Sequence, residues 1–150
     1  MEFVEGAIIR NKVPQGMLLG KQEFEKLSRS AVDCLVELHQ LELVQSGLIQ
    51  LGKPEGFTQR QVTGWVERYF RAKTKEIPEL ENAAIWLQEN IPSTEYTAFI
   101  HNDFKYDNLV LDPADPCSIR SVLDWEMATI GNPLMDLGTT LAYWAEESDP

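Results

Sequence analysis

The stretch "HNDFKYDN", residues 101–108, decides how the rest of the chain is interpreted. It lies between two short apolar runs, "TAFI" at 97–100 and "LVL" at 109–111, and therefore between two predicted strands. Its polar residues follow the pattern H-x-D-x-x-x-x-N, and sixteen residues after Asn108 a further aspartate, Asp124, ends the run "SVLD". A polar turn that satisfies only local backbone groups has no reason to keep both spacings. The pattern therefore favours a functional loop over an ordinary turn.

These spacings supply the groups that phosphoryl transfer to an alcohol requires. Asp103 can accept or orient the proton of the attacking hydroxyl. Asn108 begins one strand and Asp124 ends its predicted partner, so an antiparallel pair would bring both to one end of a hairpin as oxygen ligands for Mg²⁺. Lys105 is placed to neutralise charge on the transferred group. His101 completes the candidate catalytic set, and we expect it to orient the loop by hydrogen bonding more than to act in the chemistry.

The composition limits the possible partners and compartments. The 150 residues carry 13 Lys+Arg against 24 Asp+Glu, a net charge of −11 that would repel a phosphate backbone, so nucleic acid is not expected as a partner. No apolar run approaches the roughly 18 to 20 residues of a spanning helix, so no membrane partner is expected either. Cys34 and Cys117 form no CxxC motif and are expected to be free thiols. The sequence thus predicts one cytoplasmic domain.

Helical periodicity dominates the first two thirds of the chain. From residue 22 to about 43 apolar residues recur every three or four positions, which predicts an amphipathic helix with His39 half-buried or on its surface. Another helix is predicted over 79–90. Short β-like runs follow at 97–100, 109–111 and about 120–123. Helical spacing then returns through Leu134, Leu137, Leu141 and Trp144. This order predicts an α+β fold that is mostly helical, with a small β-hairpin.

A further helix is predicted to begin at Thr58. Thr58 and Gln61 have the spacing of a capping box, and Phe57 and Val62 have that of a hydrophobic staple. Given the negative charge of the chain, the apolar stripe of this helix is expected to belong to the core and not to a base-stacking surface. Its residues are Val62, Trp65, Val66, Tyr69 and Phe70.

The loop and its surroundings resemble a known family. "HNDFKYDNLVLD" followed by "VLDWEMATIGNPLMDLG" is similar to the catalytic core of the aminoglycoside phosphotransferase and choline kinase-like family, relatives of the protein kinases. The resemblance implies the C-terminal lobe of a protein-kinase-like fold, with 101–108 as catalytic loop and Asp124 as magnesium ligand. It also implies that Asp136 braces that loop from a helix start. Upstream, "LVELHQLEL" and "GFTQRQVTGWVERYFRAKT" resemble the subset associated with acyl-CoA dehydrogenases.

The resemblance also bears on nucleotide binding and on the extent of the domain. "MEFVEG" is similar to the hinge strand between the two kinase lobes, which implies that the backbone of Glu2, Phe3 and Val4 meets the adenine of ATP. The family's N-terminal lobe, with its glycine-rich loop and strand lysine, has no counterpart in these residues. We therefore expect residues 1–150 to be a partial domain, the hinge and most of the C-terminal lobe, that works with an N-terminal lobe from a fuller protein.

Two classes of function remain open. The first is an ATP- and Mg²⁺-dependent kinase that transfers the γ-phosphoryl group to a hydroxyl of a small molecule, nearly inactive as an isolated fragment. The second is a non-catalytic kinase-like binding module or a truncated inactive fragment. The joint presence of Asp103, Asn108 and Asp124 favours the first. Antibiotics, choline-like alcohols, sugars and hydroxyacyl thioesters all remain possible acceptors, and the resemblance of residues 22–75 favours a hydroxylated acyl metabolite.

Overall fold

A computed structural model describes residues 3–93 and 96–143 of the chain. Within these residues it contains four α-helices and two small antiparallel sheets of two strands each. The helices are α1 (Lys21–His39), α2 (Phe57–Ala72), α3 (Pro78–Glu89) and α4 (Pro133–Ala142). The strands are β1 (Ala98–Ile100), β2 (Leu109–Leu111), β3 (Ile119–Val122) and β4 (Thr129–Gly131).

The first helix forms because its apolar residues fall on one face. Leu27, Leu35 and Leu38 are buried on that face. The helix ends at His39, four residues before the predicted end, because the backbone leaves helical geometry at the next residue. The apolar spacing continues beyond it because Leu43 packs against the same core from a turn.

The predicted start of α2 is wrong. The helix begins at Phe57, after Gly56 in the left-handed conformation (φ +63°), and no side chain caps it. Glycine adopts this conformation without strain, so the helix is entered from Gly56, two residues before the predicted threonine cap. Thr58 is instead buried in the first turn, with its hydroxyl 3.5 Å from Nδ2 of Asn132. Phe57 packs against Ala98 and Ile100 of β1 and does not form a staple.

The expectation that the whole apolar stripe of α2 is core is also wrong. Val66 is buried, but the side chains of Trp65 and Phe70 are exposed by 60% and 41%. Arg68 covers part of the Trp65 ring, with its guanidinium carbon 4.7 Å from the ring centroid. The apolar stripe of α2 is wider than the part of the helix surface that the rest of the protein buries. Periodicity alone does not show which residues of such a stripe remain exposed.

The two sheets are nested in sequence, because both strands of one sheet lie between the two strands of the other. β2 and β3 form the predicted hairpin, with Leu109 opposite Val122. β1 pairs with β4, which the sequence analysis missed, so that Ile100 lies opposite Thr129. The "TIG" of β4 is too short to show alternation. Because β1 pairs with β4 in antiparallel fashion, the loop that follows β1 and the turn that precedes β4 lie on the same side of the fold.

The core lies directly beneath these loops. It joins the buried face of α1 to the strands, to Ile9 of the N-terminal segment and to Phe104 of the catalytic loop, which is 2% exposed. Gly131 brings α2 close to the strands, because a Cβ at this position would lie 2.6 Å from both the Phe57 ring and Ile100. Among the described helices none is both long and apolar enough to cross a bilayer.

Both cysteines are free thiols, as predicted. Burial, together with the charge of Glu37, raises the pKa of Cys34, so this thiol stays protonated and unreactive at neutral pH.

Candidate active site

The candidate catalytic loop spans the gap between β1 and β2. His101 directly follows β1 and Asn108 directly precedes β2. Asn102 adopts a left-handed conformation (φ 64°), which asparagine tolerates better than most residues, and its side-chain amide donates to the Met127 carbonyl at 2.9 Å. The loop is therefore turned sharply after β1 and tied to the turn that precedes β4.

Asp136 fixes the start of this loop from the first turn of α4. Its buried carboxylate accepts a hydrogen bond from the backbone N–H of His101 at 2.8 Å and another from that of Asn102 at 2.8 Å. The expectation that Asp136 braces the loop is confirmed. Asn132 caps the helix by accepting from Leu134 N at 3.0 Å, and this cap fixes the position of the first turn.

A third donor reaches Asp136 from the end of α1. His39 Nε2 lies 3.0 Å from Oδ2 of Asp136, and the histidine side chain is 16% exposed. His39 is thus a satisfied, half-buried histidine, as predicted. Its partner was not predictable, because the two residues are 97 positions apart.

His101 links the loop to the strand that precedes Asp124. Its ring is fully buried, its Nε2 lies 2.8 Å from the carbonyl oxygen of Leu123, and its Nδ1 accepts from the backbone N–H of Asp103 at 3.2 Å. The two hydrogen bonds join the loop to the strand before Asp124, which agrees with the expectation that His101 orients the loop. A catalytic role for His101 stays a prediction.

Asp103 is the centre of the polar cluster. Lys105 Nζ lies 2.9 Å from each of its carboxylate oxygens. Asn108 Nδ2 donates to Oδ2 at 3.0 Å and to the backbone carbonyl of Asp103 at 2.9 Å. Burial acts to raise the pKa of Asp103, but hydrogen bonds from Lys105, Tyr143 and Asn108 together outweigh it and lower that pKa. The carboxylate is therefore held ionised and oriented.

Tyr143 belongs to this cluster and was missed in the sequence. Its hydroxyl donates to Oδ1 of Asp103 at 3.0 Å, and Lys105 Nζ lies 4.6 Å from the centre of its ring. In the sequence Tyr143 follows the helical stripe of α4, where an aromatic residue suggests only packing. No local signal pointed to a partner 40 residues away.

The two candidate metal ligands lie at the same end of the β2–β3 hairpin. Leu123 N donates to the carbonyl of Asn108 at 2.8 Å, so Asp124 directly follows a residue bonded to Asn108. Asn108 is buried, and both of its side-chain bonds use the amide nitrogen, which leaves the amide oxygen out of them. Asp124 is exposed and left-handed (φ 64°).

The chemistry of this pair fits Mg²⁺. The ion prefers oxygen ligands and, in nucleotide enzymes, commonly uses one or two carboxylates together with substrate phosphates. No group of three or more His, Cys, Asp and Glu residues in the described parts of the chain could hold a metal. An amide oxygen with one carboxylate is compatible with a metal that arrives with a nucleotide.

The N-terminal segment reaches the site, and its described residues 3–6 form no regular strand. Ala7 and Leu111 exchange backbone hydrogen bonds of 2.9 and 2.7 Å. Of the three residues predicted to meet adenine, Phe3 is 88% exposed, Val4 is exposed, and Glu2 lies outside the described residues. Further along, the chain lines a cleft of about 320 Å³ beside the catalytic loop, bounded by Ile9, Arg10, Lys105, Tyr106, Asp107 and Tyr143.

A second depression, of about 210 Å³, lies between α1 and α4. Its walls are mostly apolar, and Leu134 and Leu137 of α4 line it while remaining 59% and 40% exposed. Two residues of the predicted apolar stripe of α4 therefore face this groove, whereas the buried positions of the helix are Asp136 and Thr140. The last residue of the predicted stripe, Trp144, lies outside the described residues.

Comparison with known proteins agrees with this arrangement. Residues 1–150 match the phosphotransferase enzyme family (APH). Acyl-CoA dehydrogenase family member 11 of Homo sapiens is 36% identical over 138 residues, which are 91% of this chain and 17% of that protein. Acyl-CoA dehydrogenase family member 10 of Mus musculus is 32% identical over 151 residues, which are 100% of this chain and 14% of that protein. The resemblance to the subset associated with acyl-CoA dehydrogenases is confirmed.

Solved structures show the same fold. A Ralstonia eutropha protein described as a candidate aminoglycoside phosphotransferase superposes with a TM-score of 0.87 at 29% identity, covering 99% of this chain and 45% of that chain. Macrolide 2'-phosphotransferase type I superposes with a TM-score of 0.71 at 20% identity, covering 97% and 49%, a likeness that shows the fold alone. The expected fold class, a mostly helical part of a kinase-like phosphotransferase fold with a small β part, is confirmed. The chain spans less than half of either solved chain.

Proposed function

Because the chain belongs to the phosphotransferase enzyme family, we propose that it carries the catalytic loop of a kinase that transfers the γ-phosphoryl group of ATP to a hydroxyl of a small molecule. The observation that carries the proposal is the Asp103 carboxylate, which Lys105 and Asn108 hold within 3.0 Å. A loop braced by Asp136 presents this carboxylate beside a cleft. A polar turn without a function would not need an anchored, ionised aspartate of this kind.

The roles of the residues follow from the chemistry of the transfer. The acceptor hydroxyl donates a hydrogen bond to Asp103 and its oxygen attacks the γ-phosphorus. As the new O–P bond forms, the bond between the γ-phosphorus and the bridging oxygen breaks, and its electron pair leaves with ADP. The proton of the hydroxyl passes to the Asp103 carboxylate and from there to water. Lys105 stabilises the negative charge on the transferred group.

The lowered pKa of Asp103 determines what kind of base it is. A carboxylate held ionised by a lysine is a weak base, so it takes the proton late, after the acceptor oxygen has begun to bond to phosphorus. Its main contribution is to orient the hydroxyl for in-line attack. Its hydrogen bonds to Lys105 and Asn108 maintain that orientation.

Asn108 and Asp124 would hold the magnesium ion of the nucleotide. When bound, Mg²⁺ neutralises charge on the phosphates and helps to position them. His101 keeps Leu123, the residue before Asp124, at a fixed distance from the loop. The distance between base and metal ligands is thereby maintained by the fold.

The nucleotide site and the acceptor belong to the whole protein. We propose that an N-terminal lobe completes the site around the phosphates, and that the backbone of Glu2, Phe3 and Val4 meets the adenine. The relatives named acyl-CoA dehydrogenase make hydroxyacyl thioesters the first acceptors to test, ahead of sugars, choline-like alcohols and antibiotics. With a net charge of −11 nucleic acid remains an unexpected partner, and a cytoplasmic, membrane-free location remains a prediction.

The test is phosphoryl transfer by the product of the longest open reading frame that encodes these residues. The protein is incubated with Mg²⁺ and γ-labelled ATP and with a panel of alcohols from these four classes. Asp103→Asn should abolish labelling of the acceptor, whereas Asp115→Asn, an exposed aspartate in the β2–β3 turn, should not change it. Nucleotide binding without transfer to any alcohol would instead favour the non-catalytic binding module.

A further inference from the structure

The hydroxyl of Tyr143 is bonded to the candidate base. It donates to Oδ1 of Asp103 at 3.0 Å, although the side chain is 53% exposed at the end of α4. Lys105 Nζ lies 4.6 Å from the centre of the ring and 2.9 Å from the same carboxylate. The phenol therefore meets both the candidate base and the cation expected to stabilise the transferred group.

The two oxygens of Asp103 are not equivalent. Oδ2 accepts from the side-chain amide of Asn108, which is buried and held by a second bond to the backbone. Oδ1 accepts from Tyr143, which is half-exposed and borders the 320 Å³ cleft. An acceptor that enters from this cleft reaches Oδ1 more readily, because displacing Asn108 would disturb the loop.

We propose that Tyr143 is a specificity-determining residue of the acceptor site, whose hydroxyl holds the position on Asp103 Oδ1 that the acceptor hydroxyl takes during transfer. The proposal rests on the proposed function. An acceptor must displace the phenol, which breaks the hydrogen bond between Tyr143 and Asp103. Only an alcohol that reaches Oδ1 from the cleft replaces this hydrogen bond with one of its own. Alcohols that bind in the cleft but cannot reach Asp103 are rejected, because they leave the tyrosine in place.

The displacement is feasible. One hydrogen bond on a half-exposed side chain contributes modestly, because water replaces it when it breaks. The ring already borders the cleft, so the side chain can move into solvent without opening the core. Tyr143→Phe removes the hydroxyl and keeps the ring over Lys105, so it isolates the hydrogen bond.

The chain offers a matched control. Tyr106 also lines this cleft, but its hydroxyl lies 2.9 Å from Ser28 Oγ and not against Asp103. Tyr106→Phe therefore removes a phenol hydroxyl of the same cleft without touching the Asp103 carboxylate.

The first experiment requires no catalysis. Tyrosine is labelled with ¹³C at Cζ in the full-length protein, and the Tyr143 signal is assigned with Tyr143→Phe. We expect this signal to shift in Asp103→Asn at constant pH, because the phenol then loses the carboxylate oxygen that accepts its hydrogen bond. Tyr106→Phe should leave it in place. A Tyr143 signal that ignores the Asp103 substitution overturns the proposal, whatever the activity of the protein.

The second experiment uses the best acceptor from the alcohol panel. Tyr143→Phe should lower KM for that acceptor by about three- to tenfold and leave kcat within about twofold, because a competing hydrogen bond has been removed. An unchanged or raised KM overturns the proposal.

A third result is also decisive. A hydroxyl bonded to the base could itself be phosphorylated, so the protein is digested after incubation with Mg²⁺ and ATP and its peptides are weighed by mass spectrometry. We expect the Tyr143 peptide to stay unmodified, because in the proposed role the phenol leaves the Asp103 carboxylate before transfer takes place. Phosphate on Tyr143 would make it the acceptor and would overturn the proposed role.

Discussion

The carboxylate of Asp136 lies 2.8 Å from the backbone nitrogen of His101, and this bond joins the start of α4 to the start of the catalytic loop. The loop carries Asp103, Lys105 and Asn108, and its other end enters β2. A buried acceptor on one side and a strand on the other leave the loop few alternative conformations. The geometry of the candidate base is therefore set in part by a buried residue outside the loop.

Substitution of Asp136 should destabilise the protein strongly. Asp136→Asn replaces one buried acceptor oxygen by an N–H₂ group that faces a backbone donor. We expect the free energy of unfolding to fall by about 3 kcal/mol, because a buried donor loses its partner. Urea denaturation measures the change. Asp33→Asn, an exposed aspartate on α1, should stay within about 0.5 kcal/mol, and equal effects of the two substitutions would contradict the bracing role.

His39 should contribute less than Asp136 to the same network. His39→Ala removes one of the three recorded donors to Asp136 and leaves the two backbone bonds in place. We expect a loss of about 1 to 2 kcal/mol, with part of it restored in His39→Gln, whose amide can still donate. Denaturation curves of the two variants decide this. If alanine and glutamine are equally destabilising, packing and not the hydrogen bond explains the effect.

Lys105 should control the pH dependence of transfer. Lys105→Met removes a hydrogen bond that lowers the pKa of Asp103, so that pKa rises and a higher pH is needed to ionise the carboxylate. The acid limb of the rate profile should move to higher pH, and kcat should fall about 100-fold through loss of charge stabilisation. Because a lowered carboxyl pKa contributes stability that disappears as the pH falls through it, the variant should also lose less stability on acidification. An acid limb at an unchanged pH would mean that Lys105 does not lower the pKa of Asp103.

Two glycines of the same segment should respond in opposite directions. Gly131→Ala would place a Cβ 2.6 Å from the Phe57 ring and from Ile100, so we expect a loss of about 1 to 3 kcal/mol through overpacking. Gly138 lies inside α4 with open space around it, and Gly138→Ala should stabilise the protein by about 0.5 to 1 kcal/mol. Thermal unfolding of both variants tests the pair. Destabilisation by Gly138→Ala would contradict the open space at that position of α4.

The parts of the site that follow local rules could be predicted from the sequence. The spacing of Asp103, Asn108 and Asp124 predicted the loop and the hairpin. A strand that follows Asn108 and a strand that precedes Asp124 place both residues at one end when they pair in antiparallel fashion. The contacts of His39 and Tyr143 could not be predicted, because they join residues 97 and 40 positions apart.

The errors in the predicted elements also have physical causes. The start of α2 depends on Gly56, whose left-handed conformation replaces a side-chain cap. The leucines of α4 have the spacing of a core face, but its buried face carries Asp136 and Thr140, because the helix meets the catalytic loop through hydrogen bonds. Periodicity identifies a helix and its two faces, but it does not show what each face meets.

The central claim is that this loop and hairpin form a magnesium–nucleotide site. The most direct measurement is calorimetric titration of ATP, with and without Mg²⁺, into the full-length protein and into Asp124→Ala, with Asp115→Ala as the matched control. We predict binding that requires Mg²⁺, is weakened about tenfold or more by Asp124→Ala, and is unchanged by Asp115→Ala. Equal binding by all three proteins, or no binding of ATP by any of them, would contradict the account.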